Sequence, residues 1–490
     1  MIYFVNFVKN LEFPMASPSS LLGAKLRGLR RREGLSQAQL AQRLEVSPSY
    51  LNLIEHNKRP LTAPLLIKLA QLYRVDLHTF APDQDAALSS DLAEVLGDPL
   101  FEELDLTTGE LRDLVQQCPS AARALKTLYG AYQSSRSSVD ALASKLSDGQ
   151  DLAGVDRSRL PTEEVNDFIQ THRNHFPALE AAAEALWHRA KLDANGLFQD
   201  LVRHLEREHR VKVQILTTRE SGGVLRRFQP ERMLLELSER LPLHSRVFQL
   251  AHQIALLELP DVLNGLAADP ALSCDESRAL ARVALANYFA GAVMMPYALF
   301  REAARKERHD VELLGRRFQA SFEQVCHRLT TLRRPGQEGI AFHFLRIDIA
   351  GNISKRFSAS GIRFARFSGA CPRWNVHAAF LTPGTIRTQV SEMPDGAIYF
   401  CIARTIHQER GGPHAAHAVQ AVGLGCLAEH AKELIYADGV NVANHAAAVP
   451  IGVSCRICER PDCDQRAFPP LHQPLKIHEN LRRGSFYAGG

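Results

Sequence analysis

The stretch that decides the fold runs from Ser36 to Tyr73, SQAQLAQRLEVSPSYLNLIEHNKRPLTAPLLIKLAQLY. Ser36 with Gln39 is a capping box: the Ser oxygen satisfies an orphan amide and the Gln side chain reaches back. Leu40 and Leu44 lie one turn apart and give the helix behind that cap its buried face. Ser47-Pro48 starts another helix, with Ser as N-cap and Pro at the first helical position. Leu51 and Ile54 point inward, which leaves Ser49, Tyr50 and Asn52 available for other contacts. HNKRP ends that helix, and residues 63–73 form the next. Upstream, LLGAKLRGLRRREG reads as a helix with Leu22, Leu26 and Leu29 on one face and Gly34 as its stop.

Charge sharpens the reading. The whole chain has a net charge of +4, but residues 22–80 carry ten basic and four acidic side chains. Residues 83–113 carry ten acids against one base, Arg112. A basic helical unit beside an acidic segment suits a polyanion-binding head whose neighbour does not compete for phosphates. Two short helices joined by a tight turn in such a unit describe a helix-turn-helix. The stretch resembles the Cro/repressor-type family in its Gln37, its Tyr50 and its I-E-x-x-x-R-P ending. The resemblance implies that the helix from Pro48 enters the major groove. Ser49, Tyr50 and Asn52 are then the base-edge candidates, and Gln37, Asn57, Lys58 and Arg59 the phosphate contacts. One module reads few base pairs, so a homodimer on a two-fold-related double-stranded operator is expected.

The remainder is multidomain by length. At 490 residues, 45% hydrophobic and 23% charged, the chain is neither largely disordered nor a polytopic membrane protein. Nine cysteines are too few for a disulfide scaffold, and no apolar run spans a bilayer. A cytoplasmic setting without membrane contact is expected. Residues 1–21 read as a disordered extension, with Met1 or Met15 as the start. Residues 22–82 are the DNA-binding head, 83–146 an acidic helical connector, and 147–161 a linker. In the connector, Leu125, Leu128, Tyr129 and Tyr132 form a stripe that serves either a local core or a dimer interface.

Residues 162–336 read as α+β. VKVQILT and RMLLELS are strands, SRVFQLAHQIALLEL a helix, and ALARVALANYFAGAVMMPYALF a further one. The order resembles the zincin-like domain of the ImmA/IrrE family, whose H-E-x-x-H helix holds zinc with two His and activates water with Glu. Here His252 stands, but Gln253 replaces the Glu and Leu256 the second His. Residues 282–286 carry no acidic third ligand. An amide is no general base and one imidazole cannot hold catalytic zinc, so a degenerate, non-enzymatic domain is expected, with His252 a core residue. The alternative is a zinc metallopeptidase acting on a partner repressor. A disused cleft can still bind an effector: guanidinium suits phosphate and aromatics suit an adenine ring. Arg173, Arg226, Phe248 and Tyr288 are the candidates, with Lys212, Arg227, Tyr297 and Arg301 of the same character.

Residues 337–490 read as a mixed α/β domain. IAFHFLRIDIAGNISKRFS is two strands joined at Ala350-Gly351-Asn352, PDGAIYFCIARTI another strand, and CLAEHAKELIYADG a helix ending at Gly439. Cys455, Cys458 and Cys463 form a C-x2-C-x4-C cluster. Three thiols so close mark a metal site, and spacing alone does not choose the metal. Zinc needs one more Cys or His; an iron–sulfur cluster such as [4Fe–4S] also takes a ligand from elsewhere. Cys371 is the leading fourth ligand, with Cys426 and His377 as others. The radical-enzyme spacing C-x3-C-x2-C is absent.

GACPRWNVHAAF, MPDGAIYF and IGVSCRICERPDCDQRAFPP together resemble the short-chain fatty acyl transcriptional regulators, among them regulators of propionate catabolism and the glyoxylate bypass. The resemblance covers nearly the whole chain from Leu22. It implies a sequence-specific transcription factor of short-chain fatty acid or acyl-CoA metabolism. Acyl-CoA or a short-chain fatty acid would be the effector, with an iron–sulfur cluster on the Cys triad.

Overall fold

A computed structural model describes residues 26–27, 30, 35–55, 58–59, 62, 64–65, 68–69, 72, 82–101, 108–147, 161–365, 370–408, 418–455, 458–460 and 462–469. The expected extension over residues 1–21, Asn57 and most of the expected linker lie outside the described residues. The chain divides into two compact units, residues 1–129 and 130–490.

In the first unit, α1 (Gln37–Leu44) opens on the expected capping box: Gln39 N donates to Ser36 Oγ, and Ser36 N to Gln39 Oε1. Glu45 closes it in the left-handed region at φ 57°. α2 (Pro48–Glu55) follows, with Tyr50 N donating to Ser47 Oγ at 3.1 Å. Leu26, Leu40, Ala41, Leu44, Leu51, Ile54, Leu65 and Leu69 form the head's core. α3 (Pro82–Val95), α4 (Thr108–Gln117) and the long α5 (Pro119–Ser147) make the connector helical. Leu88, Leu92, Leu111, Val115 and Ala122 form its core. The Leu125–Tyr132 stripe divides: Tyr129 is buried and donates its hydroxyl to Asp98 Oδ2 (2.8 Å), whereas Leu128 is 68% exposed.

The second unit begins with α6 (Pro161–Thr171), α7 (Pro177–Ala190) and α8 (Leu197–His209). The chain breaks between α6 and α7, where Arg173 and Asn174 take positive φ and Pro177 starts the next helix. A three-stranded sheet follows: β1 (Lys212–Leu216) runs parallel to β3 (Leu234–Ser238), and β2 (Arg226–Gln229) runs antiparallel to β3. Helices α9 (Leu243–Glu258), α10 (Pro260–Ala267), α11 (Asp275–Met294), α12 (Tyr297–Lys306), α13 (Val311–Arg317) and α14 (Phe322–Thr330) complete the helical layer. The single helix read over residues 279–300 is two, because Pro296 removes a backbone donor and turns the chain between α11 and α12. Among the described residues no single helix is long and apolar enough to cross a membrane.

A second sheet has six strands in the order β5-β4-β8-β7-β6-β9. These are β4 (His343–Asp348), β5 (Ile353–Ser358), β6 (Arg387–Glu392), β7 (Ile398–Gln408), β8 (Ala418–Leu427) and β9 (Val449–Pro450). Its two faces follow the period-two rule. Phe344, Phe400, Ile402, Val422 and Leu424 join the core of the preceding helices, a core that runs from Val165 to Leu434. Leu345, Ile347, Tyr399, Cys401 and Ala421 face the opposite way, onto Cys371, Trp374, Ile451 and Val453. Residues 162–336 and the stretch from 337 onward therefore share one core.

One element needs correction. CLAEHAKELIYADG is not an α-helix: Cys426 and Leu427 end β8, and two 3-10 turns follow before Gly439 at φ 79°. Two glycines hid β8 in the sequence. A Cβ on Gly425 would fall 2.8 Å from Cys401 Sγ, and one on Gly423 would strike Val376. Close packing, not strand propensity, selects glycine there.

Candidate DNA-binding surface and regulatory sites

Ser49, Asn52, Lys58 and Arg59 are exposed, and Tyr50 is half-buried. The Arg59 guanidinium stands 6.0 Å from the Tyr50 ring centroid. Gln37, at the first turn of α1, donates to Asn52 Oδ1 (3.2 Å) and to Glu55 Oε2 (3.1 Å). It thus joins the start of α1 to the exposed face of α2. The sequence reading missed the anchor beneath. Glu55 is 1% exposed and receives Arg30 through Nε (2.6 Å) and NH2 (3.1 Å). Arg27 also donates to the Glu55 carbonyl (2.6 Å). The I-E pair that ends α2 was visible in the sequence, but its partner 25 residues upstream was not.

The second unit holds the position of the broken zinc motif. His252 is buried and donates from Nδ1 to Asn287 Oδ1 at 2.8 Å. Its Nε2 is buried without a hydrogen-bond partner. Burial first, then the Arg226 charge, pulls its pKa down to about 4. Arg226 donates to Gln253 Oε1 (3.4 Å). A guanidinium therefore faces the amide where a peptidase would carry its carboxylate, and it repels a dication. The four expected effector residues have different settings. Phe248 lies one turn before His252 on α9 and Arg226 lies beside them, while Arg173 stands on the exposed turn after α6. Tyr288 is 4% exposed and donates its hydroxyl to Glu180 Oε1 at 2.6 Å, within a buried Glu180–Arg328 pair.

A cavity of about 330 Å³ opens elsewhere in this unit. Trp187, Leu197, Val247, Met294, Ala303 and Phe318 line it, with Glu302, Lys306 and Arg317 among its polar members. It draws on six separate elements, so no local motif announced it. Lys306 and Arg317 are exposed, and Arg317 pairs with Glu307 at 3.0 Å. The arrangement accepts an apolar chain with an anionic head outside.

The cysteines gather on the outer face of the six-stranded sheet. Cys371 N donates to Val453 O (3.1 Å), and Trp374 Nε1 to Gly452 O (3.0 Å). Burial first, with the neighbouring Cys455 and Cys458 adding to it, pushes the Cys371 thiol up to about 11. Gly452 leaves a cradle: a Cβ there would fall 2.8 Å from Cys458 Sγ. Arg466 is 5% exposed and donates to the carbonyls of Cys455 (2.6 Å), Cys458 (2.8 Å) and Arg460 (2.6 Å). Ala467 N points to Cys455 Sγ at 3.5 Å. Sequence reasoning missed Arg466, three residues past the last cysteine. The two other ligand candidates lie elsewhere. Cys426 belongs to the core on the opposite sheet face, and His377 packs beneath Gly351. The residues fit a thiolate-ligated group: Cys371 lies beside Cys455 and Cys458, Cys463 follows on the same loop, and a buried cation braces that loop. Among the described residues no three of these sulfurs lie within 4.8 Å of one another.

Comparison with known proteins agrees with this layout. The family description "Short-chain fatty acyl coenzyme A regulator, C-terminal" matches residues 331–487, "IrrE N-terminal-like domain" residues 206–330, and "Helix-turn-helix domain" residues 21–81. The chain is 39% identical over 471 residues to the HTH-type transcriptional regulator RamB of Mycobacterium tuberculosis, covering 95% of this chain and 98% of that one. It is 38% identical over 458 residues to PrpR of the same organism, covering 94% and 93%. A propionyl-CoA carboxylase regulator of Cereibacter sphaeroides is 39% identical over 462 residues, covering 94% and 96%. A solved structure of a Mycobacterium tuberculosis transcriptional regulator superposes with a TM-score of 0.64 at 42% identity. It covers 67% of this chain and 100% of that one.

Proposed function

The chain belongs to the short-chain fatty acyl-CoA regulators, a family of helix-turn-helix DNA-binding transcriptional regulators, and from that premise we propose that it controls propionate- or acetate-type acyl-CoA metabolism. In this reading a homodimer binds a two-fold-related operator, and a short-chain acyl-CoA shifts its affinity. The observation that carries the proposal is the joining, in one chain, of an exposed reading helix to a unit with an apolar cavity and a basic exit. The acyl chain would enter the cavity while Lys306 and Arg317 meet the phosphates. An effector shifts the operator equilibrium only if it binds the two arrangements with different affinity. Ala303→Trp fills the cavity. It is expected to abolish the acyl-CoA effect on operator binding while leaving effector-free DNA affinity intact. An unchanged response in a titration of fluorescent operator DNA would move the effector site elsewhere, with Arg226 and Phe248 the next to test.

The DNA contacts divide by chemistry. Lys58→Ala and Arg59→Ala should weaken binding to all sequences and lower the salt slope by about 1 each. Asn52→Ala should relax discrimination at one base pair by about 1–3 kcal/mol and leave the slope alone. Competition binding at several salt concentrations separates the two classes. A salt slope unmoved by Arg59→Ala would overturn the docking of α2.

For the cysteines we read Cys371, Cys455, Cys458 and Cys463 as ligands of an iron–sulfur cluster, with zinc as the alternative. When bound, such a cluster supplies one-electron redox chemistry that would make the response sensitive to oxygen or iron. The protein's own part is to hold the four sulfurs, with Arg466 fixing the loop. Anaerobic protein is expected to show broad absorbance near ~400 nm with iron and sulfide, both lost in Cys455→Ser and diminished in Arg466→Ala. A colourless chain that loses a zinc ion on Cys455→Ser would make the site structural.

A further inference from the structure

We propose that His204, His209 and Glu258 form a second metal site, for a divalent transition ion of the zinc type, separate from the cysteines. His204 and His209 lie in the last two turns of α8, and Glu258 is the last residue of α9. Both imidazoles aim Nε2 at one carboxylate oxygen, Glu258 Oε1, at 2.5 and 2.9 Å. The three ligand atoms all lie within 4.8 Å of one another; among the described residues no other group of three His, Cys, Asp or Glu does so.

The donor set is two imidazoles and a carboxylate, which zinc, cobalt and nickel accept and the harder magnesium and calcium do not favour. Three protein ligands leave a fourth position open. His209 and Glu258 are partly accessible, at 22% and 14%, so an ion and its water have a way in. The other Glu258 oxygen carries the Arg189 guanidinium, an outer partner that holds the carboxylate in place. The ligands sit on two packed helices rather than on a loop, so the convergence is built into the fold. The same helix α9 carries His252, where Gln253 and Arg226 disfavour an ion. Glu258 lies six residues further along, and there the chain presents the ligands that the motif position lacks.

A clasp of hydrogen bonds alone would look similar, and zinc itself separates the two. Full-length Cys455→Ser protein, dialysed against micromolar zinc, is expected to keep one ion per chain. Adding His209→Ala or Glu258→Gln should remove that ion, and zinc should raise the unfolding midpoint only where the three ligands are intact. Because Glu258→Gln could weaken the fold, cobalt(II) is the second probe. The Cys455→Ser chain should develop visible ligand-field bands without sulfur charge transfer. Retention of the ion after His209→Ala, or absence of the cobalt bands and of any zinc-induced shift in the Cys455→Ser chain, would sink the proposal.

Discussion

Replacing Glu180 by alanine is expected to cost about 3–5 kcal/mol of stability, the range for breaking a buried ion pair by removing one partner. Glu180 on α7 and Arg328 on α14 are each 2% exposed, and two hydrogen bonds of 2.6 and 3.0 Å join them. Arg328 also donates to Met295 O (2.9 Å) and Thr331 Oγ1 (2.9 Å), and Tyr288 donates to Glu180. Helices α11 and α14 therefore converge on one carboxylate of α7. Its loss strands a guanidinium in the core and takes the short acceptor from the Tyr288 hydroxyl, leaving it His175 Nδ1 at 3.4 Å. The double variant Glu180→Leu/Arg328→Met removes both charges and should recover much of the loss, since a hydrophobic replacement of a buried pair is often neutral. Urea unfolding of wild type, Glu180→Leu, Arg328→Met and the double variant closes the cycle; additive single and double effects would show that the pair does not act as a unit.

The same pair makes a pH prediction. Burial opposes ionisation of Glu180, but the Arg328 charge and its hydrogen bonds outweigh it and hold the carboxyl below its usual value. A folded-state pKa below the unfolded value of about 4.3 gives stability that is present above it and is lost as pH falls through the folded value. Wild-type stability should thus fall on acidification below about pH 5 more steeply than that of Glu180→Gln. Equal slopes would remove Glu180 from the acid-sensitive set.

Legibility followed the range of the interaction. The caps at Ser36 and Ser47 act over three residues, so α1 and α2 could be read directly. The broken zinc motif was legible because Gln253 and Leu256 fail on chemistry alone. Cys371 could be nominated as a fourth thiol by type, and the fold brings it beside Cys455 and Cys458 from more than 80 residues away. What stayed hidden depends on distant partners. Arg30 reaches Glu55, Asn287 receives His252, and Arg328 meets Glu180 across 148 residues. Tyr288 illustrates the cost: an aromatic with a hydroxyl read as a ligand contact, until the fold supplied a carboxylate to occupy it. Strand β8 was hidden because Gly423 and Gly425 answer to Val376, His343 and Cys401, which no local pattern reveals.

The second large effect belongs to the head. Glu55→Ala is expected to abolish operator binding at every salt concentration, although Glu55 is 1% exposed and reaches no DNA. Eight buried apolar side chains form the head's core among the described residues, and the core of a unit this short supplies only about 3–5 kcal/mol. Removing the acceptor of Arg30 costs about as much. Gln37 loses a partner at the same step, which frees the start of α1 from the end of α2. The result differs in kind from Arg59→Ala, which should weaken binding yet keep a folded head and a measurable salt slope. Thermal unfolding followed alongside DNA anisotropy tells the two apart: Glu55→Ala should lose the head's transition, Arg59→Ala should keep it. Restored DNA binding in Arg30→Met/Glu55→Leu would place the defect in the broken Arg30–Glu55 pair. If Glu55→Ala bound operator with wild-type affinity, the Arg30–Glu55 pair would be dispensable, and the rigidity of the reading helix would have to come from its leucines alone.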